Sequence, residues 1–238
     1  MILKQLVQPF KGKKVLSVGG NTKTDLGAIA NQKIIEFKSF GKNFFICFKK
    51  VSVKIHFMLF GSYRINEKKE NPPRLSLIFR NGELNFYACS VKMIEENLDT
   101  IYDWSTDVMS EKWDAANAQR KLKKIPGTLV CDALLDQGIF AGVGNIIKNE
   151  VLFRIKLHPA TRIGDLPGRK LSELIKEARQ YSFDFLDWKR NYVLKKHWLV
   201  HTKKICPRDG SSIIKKYLGK TNRRTFFCNA CQKLYSKK

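Results

Sequence analysis

Residues 132–159 read DALLDQGIFAGVGNIIKNEVLFRIKLHP and carry the clearest structural signal in the chain. Apolar residues first recur at helical spacing, and Gly142 and Gly144 then mark a tight turn. Asn145 heads a second helical pattern, which Pro159 ends. The stretch therefore predicts two helical segments joined by a glycine turn.

The glycine turn does not have the pattern of a nucleotide-binding loop. A dinucleotide fingerprint needs a preceding strand and a third glycine where Ile147 stands, and a phosphate loop needs a lysine. Two interpretations remain open. Asn145 is either a plain helix cap, for which asparagine is favoured, or part of a helix N-terminus whose free N–H groups receive one phosphate of a DNA backbone.

The first hundred residues are rich in strand patterns. β-Branched and aromatic residues alternate in segments that turn signals separate, and Asn81-Gly82 is a strong hairpin signal. Only the opening MILKQLVQPF has a helical pattern, which Pro9 and Gly12 end. This half of the chain is therefore expected to be a β-rich domain.

The pattern becomes helical near Trp104. We expect one helix to begin at Ser110 and a longer amphipathic helix to lie in LPGRKLSELIKEARQYSFDFLDWKRN. A basic segment with paired cysteines follows. The chain thus divides into a β-rich half, a helical half and a small metal-binding module.

The charge of the chain indicates a polyanionic partner. Its 238 residues carry 45 Lys and Arg against 21 Asp and Glu, and from Lys189 to Lys238 there are 15 basic residues and a single acid, Asp209. Like charges at this density cost stability unless a polyanion meets them, so nucleic acid is the expected partner. No apolar run is long enough for a membrane helix and no signal peptide is recognisable, so we expect no membrane contact.

The six cysteines fall into two groups. Cys47, Cys89 and Cys131 lie singly in apolar segments, as free buried cysteines commonly do. A disulfide framework is typical of short secreted chains, and this chain does not have that character. We therefore expect a protein of the reducing cytoplasm.

The other three cysteines predict one metal site. Cys228 and Cys231 form a C-x-x-C pair, and Cys206 stands upstream, with Asp209 where a second pair would place its other thiolate. The 18 residues between Asp209 and Cys228 are enough for a β-hairpin. We predict a structural Zn²⁺ on these four residues. His201 is the alternative fourth ligand, because imidazole is the commoner partner of three thiolates. Three reduced cysteines that bind no metal are a further alternative.

Several of these stretches together resemble the formamidopyrimidine-DNA glycosylase / endonuclease VIII family. Residues 132–159 are similar to its helix–two-turn–helix signature, and CPRD followed by RRTFFCNACQ to its zinc finger. FGKNFFI resembles its conserved-lysine segment, and IHFMLFGSYRI the loop that fills the gap left by a flipped base. The resemblance implies an α+β multidomain fold, with a β-sandwich at 1–104 whose first helix is truncated, a helix–two-turn–helix domain at 105–196 and a zinc-finger β-hairpin module at 197–238.

The resemblance also implies roles for individual residues. Members of the family flip a damaged base out of the duplex, because its glycosidic carbon cannot be reached inside the stack. Lys42 matches a catalytic-site lysine beside the phosphate of the lesion. The positions that match DNA contacts are the void-filling Met58, Leu59 and Phe60, the phosphate-contacting Asn145 and Arg223, and His56 near the same backbone.

The sequence departs from the family pattern at its start. The family begins Met-Pro-Glu: the proline amine attacks C1′ of the sugar, expels the base and forms an iminium, and the glutamate assists by proton transfer. Here MILKQLVQPF resembles the family's first helix entered part-way. Three explanations are compatible with this: a start inside a longer protein, a natural short form that binds lesions without processing them, or weak action of another amine, that of Met1 or Lys42.

Three functions compete at this point. The first is a repair glycosylase with abasic-site lyase activity, the second a non-catalytic binder of damaged DNA, and the third a zinc-bearing RNA-binding protein. The MLF stretch favours the endonuclease VIII branch, which prefers oxidised pyrimidines. For this polypeptide we expect DNA binding to survive and base excision to be largely lost.

The expected molecule is a two-domain monomer without an organic cofactor. We expect it to hold double-stranded DNA with a damaged base or an abasic site in the cleft between its β-rich and helical halves. Its expected location is the cytoplasm, in association with the nucleoid.

Overall fold

The computed structural model describes residues 2–236, which form two compact units. The first, here called the N-terminal unit, ends at Tyr102, and the second, the C-terminal unit, begins at Asp103. Each unit has its own hydrophobic core. Strands dominate the first unit and helices the second, which confirms the predicted α+β class.

The N-terminal unit is built on an antiparallel sheet. Its elements are helix α1 (Ile2–Leu6), strands β1 (Ser17–Gly19), β2 (Glu36–Phe40), β3 (Asn43–Cys47), β4 (Ser52–Ile65), β5 (Leu75–Phe79) and β6 (Gly82–Ile94), and helix α2 (Leu98–Ile101). The strand order is β1-β5-β6-β4-β3-β2, and each neighbouring pair is antiparallel. The predicted hairpin is confirmed, since Arg80 and Asn81 join β5 to β6, and Gly82, with φ of 137°, is the first residue of β6.

The sheet encloses a hydrophobic core. Strand β4 pairs with β3 in its first half only, and with β6 in both halves. Strands from both ends of the order contribute side chains to the same core, among them Phe37 of β2, Phe86 of β6 and Leu77 of β5. The predicted β-sandwich is thus formed by one continuous hydrogen-bonded sheet whose two ends share a core.

The C-terminal unit is mainly helical and ends in a β-hairpin. Its elements are helices α3 (Ala115–Lys123), α4 (Val130–Ala133), α5 (Asn145–Arg154) and α6 (Gly168–Arg190), followed by strands β7 (Ile214–Leu218) and β8 (Arg223–Phe227). Helix α5 packs against α6, and the core of the unit draws on α3, α4, α5 and α6. The predicted long amphipathic helix corresponds to α6, and the predicted hairpin before the last two cysteines to β7 and β8.

Two helix predictions need correction. Helix α3 begins at Ala115 rather than near Ser110, because the Asp114 carboxylate accepts free N–H groups of its first turn. Helix α4 ends at Ala133, well before the apolar pattern does. The Asp136 side chain accepts a glycine N–H in the loop that follows, which stabilises a turn in place of further helix. No helix among the described residues is long and apolar enough to span a bilayer.

Candidate nucleic-acid interface and metal centre

The four predicted metal ligands lie together at the base of the β7–β8 hairpin. One donor atom from each of Cys206, Asp209, Cys228 and Cys231 lies within 4.8 Å of the others. The Sγ atoms of Cys206 and Cys231 are 3.8 Å apart, and Cys228 Sγ is 3.3 Å from Asp209 Oδ2. In a tetrahedral zinc site with Zn–S bonds of about 2.3 Å, two sulfur atoms lie about 3.8 Å apart. The donor set and its spacing therefore fit one small, thiophilic metal ion.

Ser211 orients the carboxylate of this group. Its backbone N–H and its hydroxyl both donate to Asp209 Oδ1, at 3.0 and 2.6 Å. These two hydrogen bonds lower the pKa of Asp209, so the residue is an anion at neutral pH. Asp209 Oδ2 is left directed toward Cys228, where a metal would be bound.

His201 does not belong to this group. Its Nδ1 atom is 3.0 Å from the Asn149 side-chain amide, and its ring packs edge-on against Phe226. Burial, with the charges of Lys148 and Arg224, lowers the pKa of His201 to about 4. Of the two fourth ligands considered from the sequence, the structure brings Asp209 to the three thiols.

The tip of the hairpin is anchored by a buried acid. Asp132, on α4, is only 9% exposed. Its carboxylate accepts the backbone N–H groups of Lys220 and Thr221 at 2.8 and 3.1 Å, and the Thr221 hydroxyl at 2.8 Å. Gly219, with φ of 72°, lies so close to this carboxylate that a Cβ atom would collide with it. The turn that leads into β8 is therefore fixed to α4.

The arginine strand of the hairpin lies against the N-terminus of α5. The Asn145 side-chain amide donates to the Arg224 carbonyl oxygen at 2.9 Å. Lys148 is 1% exposed, and its Nζ atom donates to Thr225 Oγ1 at 2.8 Å and to the same carbonyl at 3.3 Å. Burial lowers the pKa of Lys148 to about 8. The glycine turn and the two exposed arginines of β8 are thus parts of one surface.

A second buried acid fixes the segment that precedes the hairpin. Glu150, on α5, is fully buried, and its carboxylate accepts the backbone N–H groups of Leu199, Val200 and His201 at 2.7 to 3.0 Å. Three such bonds stabilise a carboxylate without a cationic partner. Helix α5 therefore anchors two parts of the C-terminal segment: Glu150 holds the residues before the hairpin, and Lys148 holds strand β8.

In the N-terminal unit, the predicted lysine and histidine lie near each other. Lys42 occupies the turn between β2 and β3, and the adjacent Asn43 pairs in register with His56. His56 Nδ1 is 3.1 Å from Asn43 Oδ1. Burial, with the charges of Lys54 and Lys42, lowers the pKa of His56, which keeps the ring neutral at physiological pH.

The predicted void-filling residues stand at an irregularity in β4. The β4–β6 register shifts between Phe57 and Ser62, so the residues between them are outside the ladder. Met58 is 61% and Phe60 83% exposed, which is unusual for such large apolar side chains. Leu59 lies in the same strand, but its side chain is outside the described part of the structure, as is the alternative amine, Met1.

Comparison with known proteins identifies the family to which this chain belongs. Residues 105–181 match the formamidopyrimidine-DNA glycosylase H2TH domain. Endonuclease 8-like 3 of Xenopus laevis is 32% identical over 232 residues, which cover 92% of this chain and 38% of that protein. Endonuclease 8-like 2 of Bos taurus is 34% identical over 196 residues, which cover 76% of this chain and 58% of that protein. The chain belongs to the formamidopyrimidine-DNA glycosylase / endonuclease VIII family. The named relatives confirm the predicted endonuclease VIII branch of this family, and the chain spans less than two thirds of their length.

Solved structures of DNA glycosylases share the fold. The crystal structure of a viral DNA glycosylase superposes with a TM-score of 0.82 at 20% identity, covering 97% of both chains. A Lactococcus lactis formamidopyrimidine-DNA glycosylase, bound non-covalently to DNA with an AP site, gives a TM-score of 0.81 at 20% identity over 97% of this chain and 96% of that one. The architecture of the family is thus present along nearly the whole sequence.

Sequence reasoning missed the three buried charges that hold the hairpin in place. Asp132, Lys148 and Glu150 lie within stretches that otherwise have an apolar pattern. A charged residue on the buried face of a helix requires a partner, so these positions within apolar patterns indicate buried polar contacts. Their partners lie 49 to 89 positions further along the chain, a separation that local patterns do not reach.

Proposed function

We propose that this chain is a base-excision repair protein that binds double-stranded DNA carrying a damaged base or an abasic site, and that the DNA glycosylase and AP lyase chemistry of its family needs a Pro-Glu segment in addition to the residues present here. The contact between Asn145 and the Arg224 carbonyl is the observation that carries the proposal. It joins a helix N-terminus and an arginine strand into one cationic surface. Such a surface suits the phosphates of one DNA strand.

The exposed apolar side chains of β4 supply the second part of the proposal. Because Met58 and Phe60 are exposed, their side chains contribute little to the stability of the fold. They are suited to fill the gap that a flipped base leaves in the stack. Lys42 lies in the turn before β3 and His56 on the adjacent β4, and both would contact the phosphates beside the lesion. Solved Lactococcus lactis relatives hold AP-site DNA and DNA with an oxidised pyrimidine, which supports this class of partner.

The metal group has a structural part in this function. We propose that Cys206, Asp209, Cys228 and Cys231 hold one Zn²⁺. A closed four-ligand site leaves no open position for substrate, so the metal supplies folding free energy rather than chemistry. It fixes the base of a hairpin that is too small to bury a core of its own.

Binding is tested with a series of duplexes across a range of salt concentrations. We expect an abasic-site duplex to bind more tightly than the intact duplex or RNA of the same sequence. Arg223→Ala should weaken binding to each duplex about tenfold and reduce the salt slope by about one. Lys123→Ala, an exposed lysine of α3, is the matched control. Equal affinity for abasic and intact duplexes would contradict the proposal.

The lyase chemistry is tested separately by borohydride trapping. An amine that attacks C1′ of an abasic sugar expels water and leaves an iminium, which borohydride reduces to a stable adduct. We expect little adduct from the 238-residue polypeptide and an efficient adduct once it is preceded by a Pro-Glu segment of the family type. If the extended protein binds the duplex but is not trapped, the function is lesion binding without excision.

A further inference from the structure

The C-terminal unit contains a groove that the proposed DNA surface does not use. Helices α3 and α6 line a cavity of about 570 Å³. The α6 residues that face it are Ser172, Ile175, Lys176, Arg179, Gln180 and Phe183. Across from them, α3 contributes Ala115, Ala116 and Gln119. None of these residues belongs to the hairpin, the glycine turn or the metal group.

The spacing along α6 makes this groove long and straight. The lining positions recur at intervals of three and four residues, which places them on one face of the helix over about three turns, or about 16 Å. The opposite face, with Leu171, Leu174 and Ala178, is buried in the core. On the α3 side the lining residues are two alanines and a glutamine, so a third helix could approach closely.

The chemistry of the groove is apolar at its base and cationic at its rim. Ile175 is 4% exposed, and Trp113 completes the base with its ring stacked at 6.0 Å from that of Phe140. Phe183 is 36% exposed, and the Arg179 guanidinium lies 5.6 Å from its ring centre. Lys176 and Arg179 are the charged residues of the lining, which contains no acid.

Three acids of α6 are paired with cations outside the groove lining, and Asp184 also accepts a hydrogen bond from Gln180 of the lining at 2.9 Å. Glu177 and Asp184 lie 3.5 and 3.8 Å from Arg154 of α5, and Glu173 pairs with Lys170 at 2.6 Å. The positive charge at the rim is therefore not neutralised from within α6 by these residues. A ligand that covers the groove would have to bring both an apolar face and carboxylates.

We propose that this groove binds an amphipathic helix of a partner protein, with apolar residues at i, i+3 or i+4, and i+7, and with Asp or Glu beside them. The apolar face of the helix fills the space above Ile175 and Phe183. Its carboxylates meet Lys176 and Arg179 at the rim. A DNA strand fits this surface poorly, because a phosphate backbone has no apolar face to bury.

The experiment selects helical peptides from a phage-displayed library on the full chain. Counter-selection uses the Lys176→Glu/Arg179→Glu double variant, and Ala116→Trp is a second variant that fills the groove without altering its charge. Ala116 is exposed on the first turn of α3, so the larger side chain is accommodated without disturbing the core. Lys123→Glu changes the charge on α3 outside the groove, by half as much as the double variant does. The selected peptides are synthesised with a fluorescent label and titrated by polarisation.

We expect the selected peptides to share the apolar spacing and acidic flanks, and to bind the unaltered chain and Lys123→Glu alike. Both groove variants should lose about tenfold or more in peptide affinity. Peptide binding should persist when the chain is saturated with abasic-site duplex. The proposal is overturned if no common pattern emerges, if Ala116→Trp binds the peptides as well as the unaltered chain does, or if the duplex displaces them.

Discussion

Three buried charged side chains of the C-terminal unit hold the backbone of the hairpin and of the segment before it in place. Asp132, Lys148 and Glu150 are between 0 and 9% exposed, and together they bond to the turn, the strand and the approach of the hairpin. A buried charge is costly unless its hydrogen-bonding capacity is met. Here this capacity is met by backbone N–H groups, a carbonyl and threonine hydroxyls. Removing either the charged group or its partner should therefore lower the stability of the fold strongly.

His201 makes the stability of the protein depend on pH. The pKa of His201 is about 4 in the folded state, against 6.5 for the unperturbed side chain. At pH values between these two, the unfolded chain binds a proton that the folded chain does not. Stability is therefore complete above pH 6.5 and is lost as pH falls toward 4. After allowance for solvent screening we expect a loss of about 2 kcal/mol.

The measurement is urea unfolding at several pH values in this window. His201→Gln, which keeps a partner for Asn149, should show a shallower loss of stability with falling pH than the unaltered chain. His197→Gln, in the segment between α6 and the hairpin, is the control. If His201→Gln follows the same pH profile as the unaltered chain, another group is responsible.

Asp132→Asn separates anchoring of the hairpin from simple electrostatics. The substitution removes an acid, so an electrostatic account predicts tighter DNA binding. Because Asp132 holds the turn before Arg223, we instead expect abasic-duplex affinity to fall about tenfold, since hydrogen bonds to charged groups are worth about 1.5–3 kcal/mol each. Asp165→Asn, elsewhere in the same unit, is the control for charge. Tighter binding by Asp132→Asn would refute the anchoring role.

Sequence patterns predicted site residues at this scale when the residues were exposed or grouped in a motif. The C-x-x-C pair led to Cys206 and Asp209 at the correct spacing, and the structure brings these residues together. His201 was also considered because imidazole is a common zinc ligand. Its actual partner, Asn149, lies 52 positions away, and no local pattern indicates that contact.

At the scale of elements, the hairpin depends on contacts at both of its ends. Asp132 fixes the tip, and the metal group fixes the base. At the base, Arg208 also donates to the Phe153 and Arg154 carbonyl oxygens at 2.7 and 3.1 Å, where α5 ends. A cation at a helix C-terminus is favourable, so this contact adds to the stability of the junction.

Cys231→Ser tests the metal end of the hairpin. We expect zinc content, measured by elemental analysis, to fall from about one ion per chain to near none, together with a lower melting temperature and weaker abasic-duplex binding. Cys131→Ser, at a buried cysteine outside the metal group, is the control and should keep its zinc. Unchanged zinc content in Cys231→Ser would show that the group does not hold this metal.

Element boundaries were the weakest part of the sequence analysis. The long helix α6 and the β5–β6 hairpin followed their patterns closely. The start of α3 did not, because Ser110 and Asp114 are both good caps, and in the structure it is Asp114 that accepts the N–H groups of the first turn. The division of the C-terminal unit at residue 196 stays a prediction.

At the scale of the whole molecule, the formal net charge of +24 would favour binding to nucleic acid of any sequence. Selection for a lesion must then come from contacts that do not depend on charge. Met58 and Phe60 are suited to this, because they are large, apolar and exposed. Non-specific binding should weaken with salt more steeply than binding to an abasic site.

The ratio of abasic-duplex to intact-duplex affinity should therefore rise as salt is increased. Phe60→Ala should lower this ratio at every salt concentration while leaving intact-duplex affinity nearly unchanged. Ile35→Ala, an exposed apolar residue elsewhere in the N-terminal unit, should alter neither quantity. A ratio that stays constant with salt would indicate that charge alone distinguishes the two duplexes.

Glu150 has one more consequence for how DNA is received. Its three hydrogen bonds to backbone N–H groups hold the segment before the hairpin against α5. The two arginines of β8 therefore have a fixed position before DNA binds. The DNA, rather than the protein, then has to change its conformation on binding. Duplexes that distort easily, such as those with a mismatch beside the lesion, should then be captured fastest, and local stiffness of the DNA would set the order in which damage is found.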